Sequence, residues 1–136
     1  MHARVLEQVK RVERACFHPD IACRLHGRGT RVLIARSGKG HVVGALRWSE
    51  GHPAFPAHPD CLYLESLCAT RAGVAAPLVR RLADKHPRRM LVCVVDMQRD
   101  DASKTVEFYR SLGFYVTYMY RPDNPDGLVM MRSAQQ

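Results

Sequence analysis

The sequence predicts an α/β (α+β) fold, a mixed and mostly antiparallel sheet flanked by helices, in a single domain spanning residues 1–136. Helical and strand periodicities alternate along the chain, a short glycine turn joins two of the strands, and a strand–helix–strand unit in the middle requires one parallel pair. A length of 136 residues with 46% apolar and 25% charged residues is typical of one globular domain.

The first element is an amphipathic helix, because apolar residues recur at helical spacing from Val5 to Cys16, and we expect it to end at His18-Pro19-Asp20. Strands over residues 31–36 and 41–49 follow. The turn of residues 37–40 between them contains two glycines, so the two strands form a hairpin.

The middle of the chain contains the parallel pair. Gly44, inside the second strand, indicates a β-bulge or a close approach to the backbone. After a proline-rich surface loop at residues 50–60 we expect a strand over 61–69, a helix over 74–85 and a buried strand over 90–95.

The last third is expected to add one helix and a second hairpin. Asp100-Asp101 offers an N-cap and Gly113 a C-terminal stop, so a helix lies between them. Residues 114–120 and 128–132 have strand character, and the Asn-, Asp-, Pro- and Gly-rich stretch 121–127 is predicted as the turn that joins them.

The net charge and the cysteine content limit which partners and which cellular compartment are expected. A formal net charge of +8 favours a negative partner, but the basic residues are scattered and carry no interleaved aromatic residues, which disfavours nucleic acid. No apolar run reaches the roughly 20 residues of a membrane span, so no membrane partner is expected. The five cysteines do not have the spacing of a disulfide framework, so we expect a cytoplasmic protein without disulfides. The oligomeric state is open, and a homodimer is compatible with the sequence.

The junction between the third strand and the second helix is the most informative segment. A short loop of small residues before a helix aims free N–H groups and the helix dipole at one spot, as a pyrophosphate requires. Gly73, Ala75 and Ala76 leave the amides accessible, although close packing alone also favours small residues and Pro77 falls in the first turn. The segment reads Leu67-Cys68-Ala69-Thr70-Arg71-Ala72-Gly73-Val74-Ala75-Ala76.

A second motif closes the following helix, which reads Phe108-Tyr109-Arg110-Ser111-Leu112-Gly113-Phe114. Together the two segments resemble the GNAT superfamily of N-acetyltransferases. The cofactor loop of that family reads Q/R-x-x-G-x-G/A at a helix start, and its later helix commonly closes with Y-x-x-x-G-F. Residues 9–17 also resemble the first helix of many members, so the resemblance covers nearly the whole chain.

Two positions depart from the family pattern. Thr70 stands at the first motif position, where Gln or Arg is usual, and Arg71 lies one residue after that position. Ala102 stands where an Asn often precedes the later helix, so that cofactor contact is either missing or supplied by Ser103.

The resemblance implies acetyl-CoA (coenzyme A) as co-substrate and an amine as acceptor. The central parallel strands would splay around the cofactor, and a backbone N–H near Cys68 or Ala69 would polarise the thioester carbonyl. The implied cofactor contacts are Leu67, Cys68, Ala69, Arg71, Ala72, Gly73, Val74, Ala75, Ala76 and Ser103.

The resemblance also suggests the catalytic groups. Glu65 is the candidate base that deprotonates the amine, with an ion pair to an Arg as its other interpretation and Asp96 as the fallback. Tyr109 is the candidate acid for the leaving thiolate, and a core aromatic is its other interpretation. We expect no metal, because the spacing of His52, His58 and Cys61 matches no structural zinc site.

Two other functions stay open from the sequence. The first is a catalytically silent module with the same fold that binds CoA or an acidic protein, and the second is a basic RNA-associated module. For an active enzyme, the acceptor can be an amine-bearing small molecule, a protein or a peptide.

Overall fold

The structure is a computed structural model that describes residues 3–16, 30–121 and 124–135. Within these ranges, the strands form one sheet in the order β1-β2-β3-β4-β6-β5, and its parallel pair is β3 with β4, which confirms the predicted fold class. The elements are α1 (Ala3–Cys16), β1 (Arg31–Arg36), β2 (Val42–Glu50), β3 (Leu62–Ala69), α2 (Ala75–Lys85), β4 (Leu91–Asp96), α3 (Ala102–Ser111), β5 (Tyr115–Arg121) and β6 (Asn124–Arg132).

The chain divides into two compact units. The first unit comprises Met1–Ser49 and Glu65–Leu82, and the second comprises Glu50–Leu64 and Ala83–Gln136. The predicted end of the first helix at 18–20 and the turn residues 122–123 lie outside the described residues. Among the described helices, none combines the length and the apolar character of a membrane span.

The first unit contains the β1–β2 hairpin, with Arg31 opposite Trp48. The register shifts where Ala35 lies opposite Gly44 and Arg36 opposite Val42, so β2 carries one extra residue in a β-bulge. Its hydrophobic cluster joins α1, β2 and β3 and contains Val9, Val12, Val42, Ala45 and Cys68.

Gly44 is also a point of close approach, so both expectations for this glycine are confirmed. A Cβ atom there would lie 2.6 Å from Cγ1 of Val74 and 3.3 Å from the carbonyl oxygen of Cys68. The missing side chain therefore lets the segment that begins α2 lie directly against β2.

The second unit is built on β4, β6 and β5, whose pairings are antiparallel. The prediction that residues 121–127 form a turn is wrong for Arg121, which ends β5, and for 124–127, which belong to β6. Gly127 lies opposite Asp96 and Asn124 opposite Arg121, so ladder pairing outweighs the local turn propensity of these residues. The hydrophobic cluster of this unit contains Phe55, Cys61, Tyr63, Val92, Val129 and Met131.

Helix α3 ends with the predicted glycine stop, but its start lacks the predicted side-chain cap. Gly113 has φ of +91°, and its N–H donates to the carbonyl of Arg110 at 3.0 Å, which confirms the glycine stop. Asp101 occupies the N-cap position, but its side chain makes no capping hydrogen bond. Its carboxylate instead forms an ion pair with Arg99 at 3.2 Å, whereas an N-cap carboxylate would accept a hydrogen bond from a backbone N–H of the first turn.

Candidate functional site

The loop between β3 and α2 leaves room beside its backbone. Gly73 has φ of +81°, and no atom lies within 4 Å of the place where a Cβ would stand. Arg71 and Ala72, which precede it, are exposed. A left-handed residue surrounded by open space is the arrangement that lets a ligand approach backbone amides.

Helix α2 begins directly after this loop, at Ala75. The first N–H groups of a helix have no intrahelical acceptor, so those of Ala75 and Ala76 are available at the positive end of the helix dipole. Pro77 is the third helical residue, as expected, and its missing N–H removes one donor at a place where it had no intrahelical role. The segment is suited to bind an anion.

Thr70 has a structural role at the start of the loop. Its backbone N–H donates to the carbonyl of Val43 at 2.9 Å, and its hydroxyl reaches the same oxygen at 3.3 Å. The side chain at the position where the family pattern has Gln or Arg therefore fastens the loop to β2. Arg71 stays as the exposed cationic residue of this loop.

One face of β2 is directed at helix α1. Ala45 packs in the cluster with α1, and Arg47, two residues on, pairs with Glu13 of α1. Ser49 follows after two more residues, and alternate residues of a strand share a face. All three side chains therefore lie on the face of β2 that α1 covers.

The neighbouring strand β3 breaks this alternation. Glu65 accepts a hydrogen bond from the hydroxyl of Ser49 at 3.0 Å, and Cys68 packs in the cluster with Ala45, so both lie on the same face of the sheet. A regular strand would place residues three apart on opposite faces. The alternation of side chains along β3 is therefore interrupted between Glu65 and Cys68.

The backbone register of β3 with β4 comprises two residue pairs, Leu62 with Leu91 and Tyr63 with Val92. The later part of β3, which contains Leu67, Cys68 and Ala69, belongs to the first unit. Cys68 is buried there, while Leu67 and Ala69 are half-buried.

The two candidate bases have different surroundings. Glu65 is half-buried, and its carboxylate accepts the hydrogen bond from Ser49. Asp96 is exposed at the end of β4, and its carboxylate accepts the N–H of Gln98 at 3.0 Å, so it organises the turn that follows the strand. Glu65 is the better-shielded carboxylate.

Tyr109 is buried on α3 between two aromatic rings, with the centroids of Phe108 and Phe114 each 5.1 Å from its own. Burial raises the pKa of the Tyr109 phenol, and the neighbouring Cys93 and Tyr63 groups raise the pKa further. The phenol is therefore protonated at every ordinary pH. The same packing is that of a core aromatic, which was the other interpretation of this residue.

The start of α3 presents two small residues. Ala102 is buried, and its methyl group cannot supply the polar contact of the family's Asn. Ser103 is exposed, so its hydroxyl is accessible. The first unit thus holds Glu65 and the segment 67–76, whereas Asp96, Ser103 and Tyr109 lie in the second.

The buried ion pair between Glu13 and Arg47 was not predicted from the sequence. Glu13 is 0% exposed and Arg47 is 4% exposed. The signal was present, because Glu13 follows Val9 by one helical turn and therefore falls on the apolar stripe, and Arg47 interrupts an apolar strand. A charged residue inside an apolar pattern indicates a buried partner.

No protein-family model matches the sequence, and neither does any curated protein sequence. Solved structures do match it. A histone acetyltransferase HPA2 and related acetyltransferase from Corynebacterium glutamicum is 15% identical, with a TM-score of 0.72 and coverage of 100% of this chain and 94% of that one.

Two further matches were solved with ligands. A GNAT superfamily phosphinothricin acetyltransferase from Sinorhizobium meliloti in complex with AcCoA has a TM-score of 0.67 and 16% identity, covering 99% of this chain and 86% of that one. Arabidopsis thaliana Naa50 in complex with the bisubstrate analogue CoA-Ac-MVNAL has a TM-score of 0.66 and 16% identity, covering 98% and 95%. At these identities the similarity is one of fold.

Proposed function

Because the chain has the fold of the GNAT superfamily N-acetyltransferases, we propose that it transfers an acetyl group from acetyl-CoA to an amine. The observation that carries this proposal is the loop before α2, where left-handed Gly73 borders open space and helical amides begin. The bound ligands of two structures with this fold, AcCoA and a CoA-peptide conjugate, support the same co-substrate here.

Binding of CoA is assigned to backbone donors. The amides from Ala72 to Ala76 bind the pyrophosphate at the positive end of α2, and exposed Arg71 adds a cation beside them. Thr70 contributes no side-chain contact, because its hydroxyl is bound to Val43. Ser103 on α3 takes the cofactor contact that the family pattern gives to Asn.

Residues Leu67, Cys68 and Ala69 of β3 bind the pantetheine arm through their backbone. The side-chain alternation is interrupted between Glu65 and Cys68, and an irregular segment suits a backbone amide to donate to the thioester carbonyl oxygen as that oxygen gains negative charge. The thioester supplies an activated acyl group, and the protein supplies the oxyanion donor.

Proton transfer is assigned to Glu65 and Tyr109. Glu65 accepts the proton that the attacking amine loses, directly or through water, and Ser49 orients its carboxylate. Tyr109 donates its phenolic proton to the sulfur when the carbon–sulfur bond breaks, and its raised pKa keeps that proton in place. Asp96 is the weaker candidate base, because its carboxylate organises a turn.

The acceptor is an amine on a small molecule or on a peptide. Structures with this fold include an enzyme named for phosphinothricin and one bound to a peptide conjugate. We propose a cytoplasmic enzyme that acts without a metal, a membrane or nucleic acid. A homodimer is compatible with this proposal.

The second candidate is a catalytically silent module that binds CoA or an acidic protein. It is favoured by two positions at which family side chains are replaced, Thr70, which is bound to Val43, and Ala102, which is buried. A thiol-release assay with acetyl-CoA and a panel of amines and peptides separates the two. Amine-dependent thiol release supports the enzyme. A melting temperature that acetyl-CoA raises, without release for any amine, supports the silent module.

A further inference from the structure

Two cysteine thiols meet where the end of α1 packs on β3. Cys16 packs against the cluster that contains Cys68, and its Sγ atom lies 3.8 Å from the carbonyl oxygen of Ala69, the next residue of β3. Burial raises the pKa of the Cys68 thiol, and the neighbouring Cys16 thiol raises it further. Both are free thiols, and both belong to the first unit.

We propose that Cys16 and Cys68 are a disulfide modification site, oxidised by a peroxide, that cross-links the end of α1 to β3. A disulfide requires two Cβ atoms about 3.5–4.5 Å apart. Cys16 packs on the cluster that contains Cys68 and contacts the next residue of β3, so the two side chains are neighbours. The other described cysteines, Cys61 and Cys93, are buried in the second unit.

The order of the steps follows from exposure. Cys16 is half-buried, whereas Cys68 is buried and burial raises the pKa of its thiol, so oxidation begins at Cys16. The Cys16 thiolate attacks one peroxide oxygen and becomes a sulfenic acid, while the other oxygen leaves as water. The Cys68 sulfur then loses its proton and attacks the Cys16 sulfur, and the hydroxyl leaves as a second water. Two thiols and one hydrogen peroxide give one disulfide and two waters, and the peroxide takes both electrons.

The cross-link would regulate the acetyl transfer, and this part of the inference depends on the proposed function. Cys68 lies in the segment of β3 assigned to the thioester, and bonding its sulfur to α1 shifts the amides beside it. Misplacement of a reacting group by about 1 Å can cost 10²-fold in rate, so we expect oxidation to lower kcat by at least about tenfold and reduction to restore it.

Peptide mass mapping tests the link without reference to activity. In a Cys23→Ser, Cys61→Ala background, the tryptic peptides 15–24 and 48–71 carry one cysteine each, Cys16 and Cys68. After hydrogen peroxide treatment and alkylation of the remaining thiols, we expect these two peptides to be joined, with the loss of two hydrogens, and dithiothreitol to separate them. Peptide 90–99, which carries Cys93, should stay reduced and serves as the internal control.

Two variants complete the experiment. Cys16→Ser should leave Cys68 reduced, and Cys68→Ala should leave Cys16 as a sulfenic or higher acid, with circular dichroism confirming that both variants fold. Oxidation of Cys16 without a cross-link in the background protein would overturn the inference. A cross-link that leaves kcat unchanged in an active enzyme would overturn its regulatory part, and absence of activity in the reduced protein would count against the proposed function alone.

Discussion

The guanidinium of Arg47 donates two hydrogen bonds to the carboxylate of Glu13, from Nε to Oε2 at 2.5 Å and from Nη2 to Oε1 at 3.0 Å, in the interior of the first unit. Removing one partner of such a pair leaves a buried, uncompensated charge, which costs about 3–5 kcal/mol. Glu13→Gln keeps the side-chain shape, so we expect its free energy of unfolding, measured in urea, to fall by about 3 kcal/mol.

A matched exposed pair is the control for this measurement. Glu107 and Arg110 pair at 3.2 Å on α3, where both side chains are about half exposed or more. Glu107→Gln should change the free energy of unfolding by less than about 1 kcal/mol. Equal losses in the two variants would mean that burial of the Glu13 pair has no special role.

Gly73→Glu should abolish the stabilisation of the protein by acetyl-CoA. A carboxylate at this position would occupy and repel the pyrophosphate site at the start of α2. A ligand that binds only the folded state stabilises it by roughly 2.7 kcal/mol at a hundredfold excess over Kd, so the wild-type melting temperature should rise with acetyl-CoA.

Gly40→Glu is the control that distinguishes destabilisation by backbone strain from loss of the pyrophosphate site. Gly40 has φ of +84° and, like Gly73, no atom within 4 Å of its Cβ position, but it lies in the β1–β2 turn. Both variants should lose similar intrinsic stability, and Gly40→Glu alone should keep the acetyl-CoA shift. A Gly73→Glu protein with the full shift would place the cofactor site elsewhere.

Glu65→Gln should slow turnover most below the pKa of the acceptor amine. At low pH the amine carries a proton that the base must remove, and at high pH the acceptor is already neutral, so the ratio of wild-type to variant kcat should fall as pH rises. Ser49→Ala, which removes the hydrogen bond but keeps the carboxylate, should cost much less. A pH-independent loss in Glu65→Gln would instead assign Glu65 to substrate positioning or structure.

Tyr109→Phe should lower kcat by about 10²-fold, the lower end of the range for general-acid catalysis, because a thiolate leaves tolerably well without help. Affinity for acetyl-CoA should stay within a few-fold, so kcat and kcat/KM should fall together. The ring packing against Phe108 and Phe114 is kept, and Tyr115→Phe, at a residue 45% exposed, is the control. An unchanged kcat would make Tyr109 a core residue only.

The pH profile gives a second check on Tyr109. An acid acts while protonated, so a raised pKa moves the loss of the acid to higher pH. Wild-type kcat should therefore show no alkaline decline from Tyr109 below the pH at which an ordinary phenol ionises, about 10. A decline between pH 7 and 9 that disappears in Tyr109→Phe would contradict the pKa direction.

The sequence was sufficient for features that are encoded locally. Apolar periodicity placed the helices and most strands within a residue or two, and single residues such as Gly113 mark an end because their backbone conformation is special. The small-residue loop at Gly73 was predictable for the same reason, since its conformation is set by the residue itself.

Features that join distant segments were not predictable. Glu13 and Arg47 each interrupt an apolar pattern, which indicates a buried partner, but they are 34 residues apart and nothing in either neighbourhood identifies that partner. The hydrogen bond from Thr70 to Val43 likewise depends on which strand lies alongside. The error at residues 124–127 has the same origin, because pairing with β4 and β5 decided a segment whose own composition favours a turn.

The close approach at Gly44 sets a limit on how this protein can vary. The spacing between β2 and the start of α2 is fixed by an absent side chain, since any Cβ there meets Val74 and the main chain at Cys68. A saturation library at position 44, selected for folded protein, would therefore return glycine almost alone, whereas Gly38, with open space around it, would accept many residue types. The difference in tolerance between these two glycines would therefore reflect the close approach of α2 to β2 at Gly44.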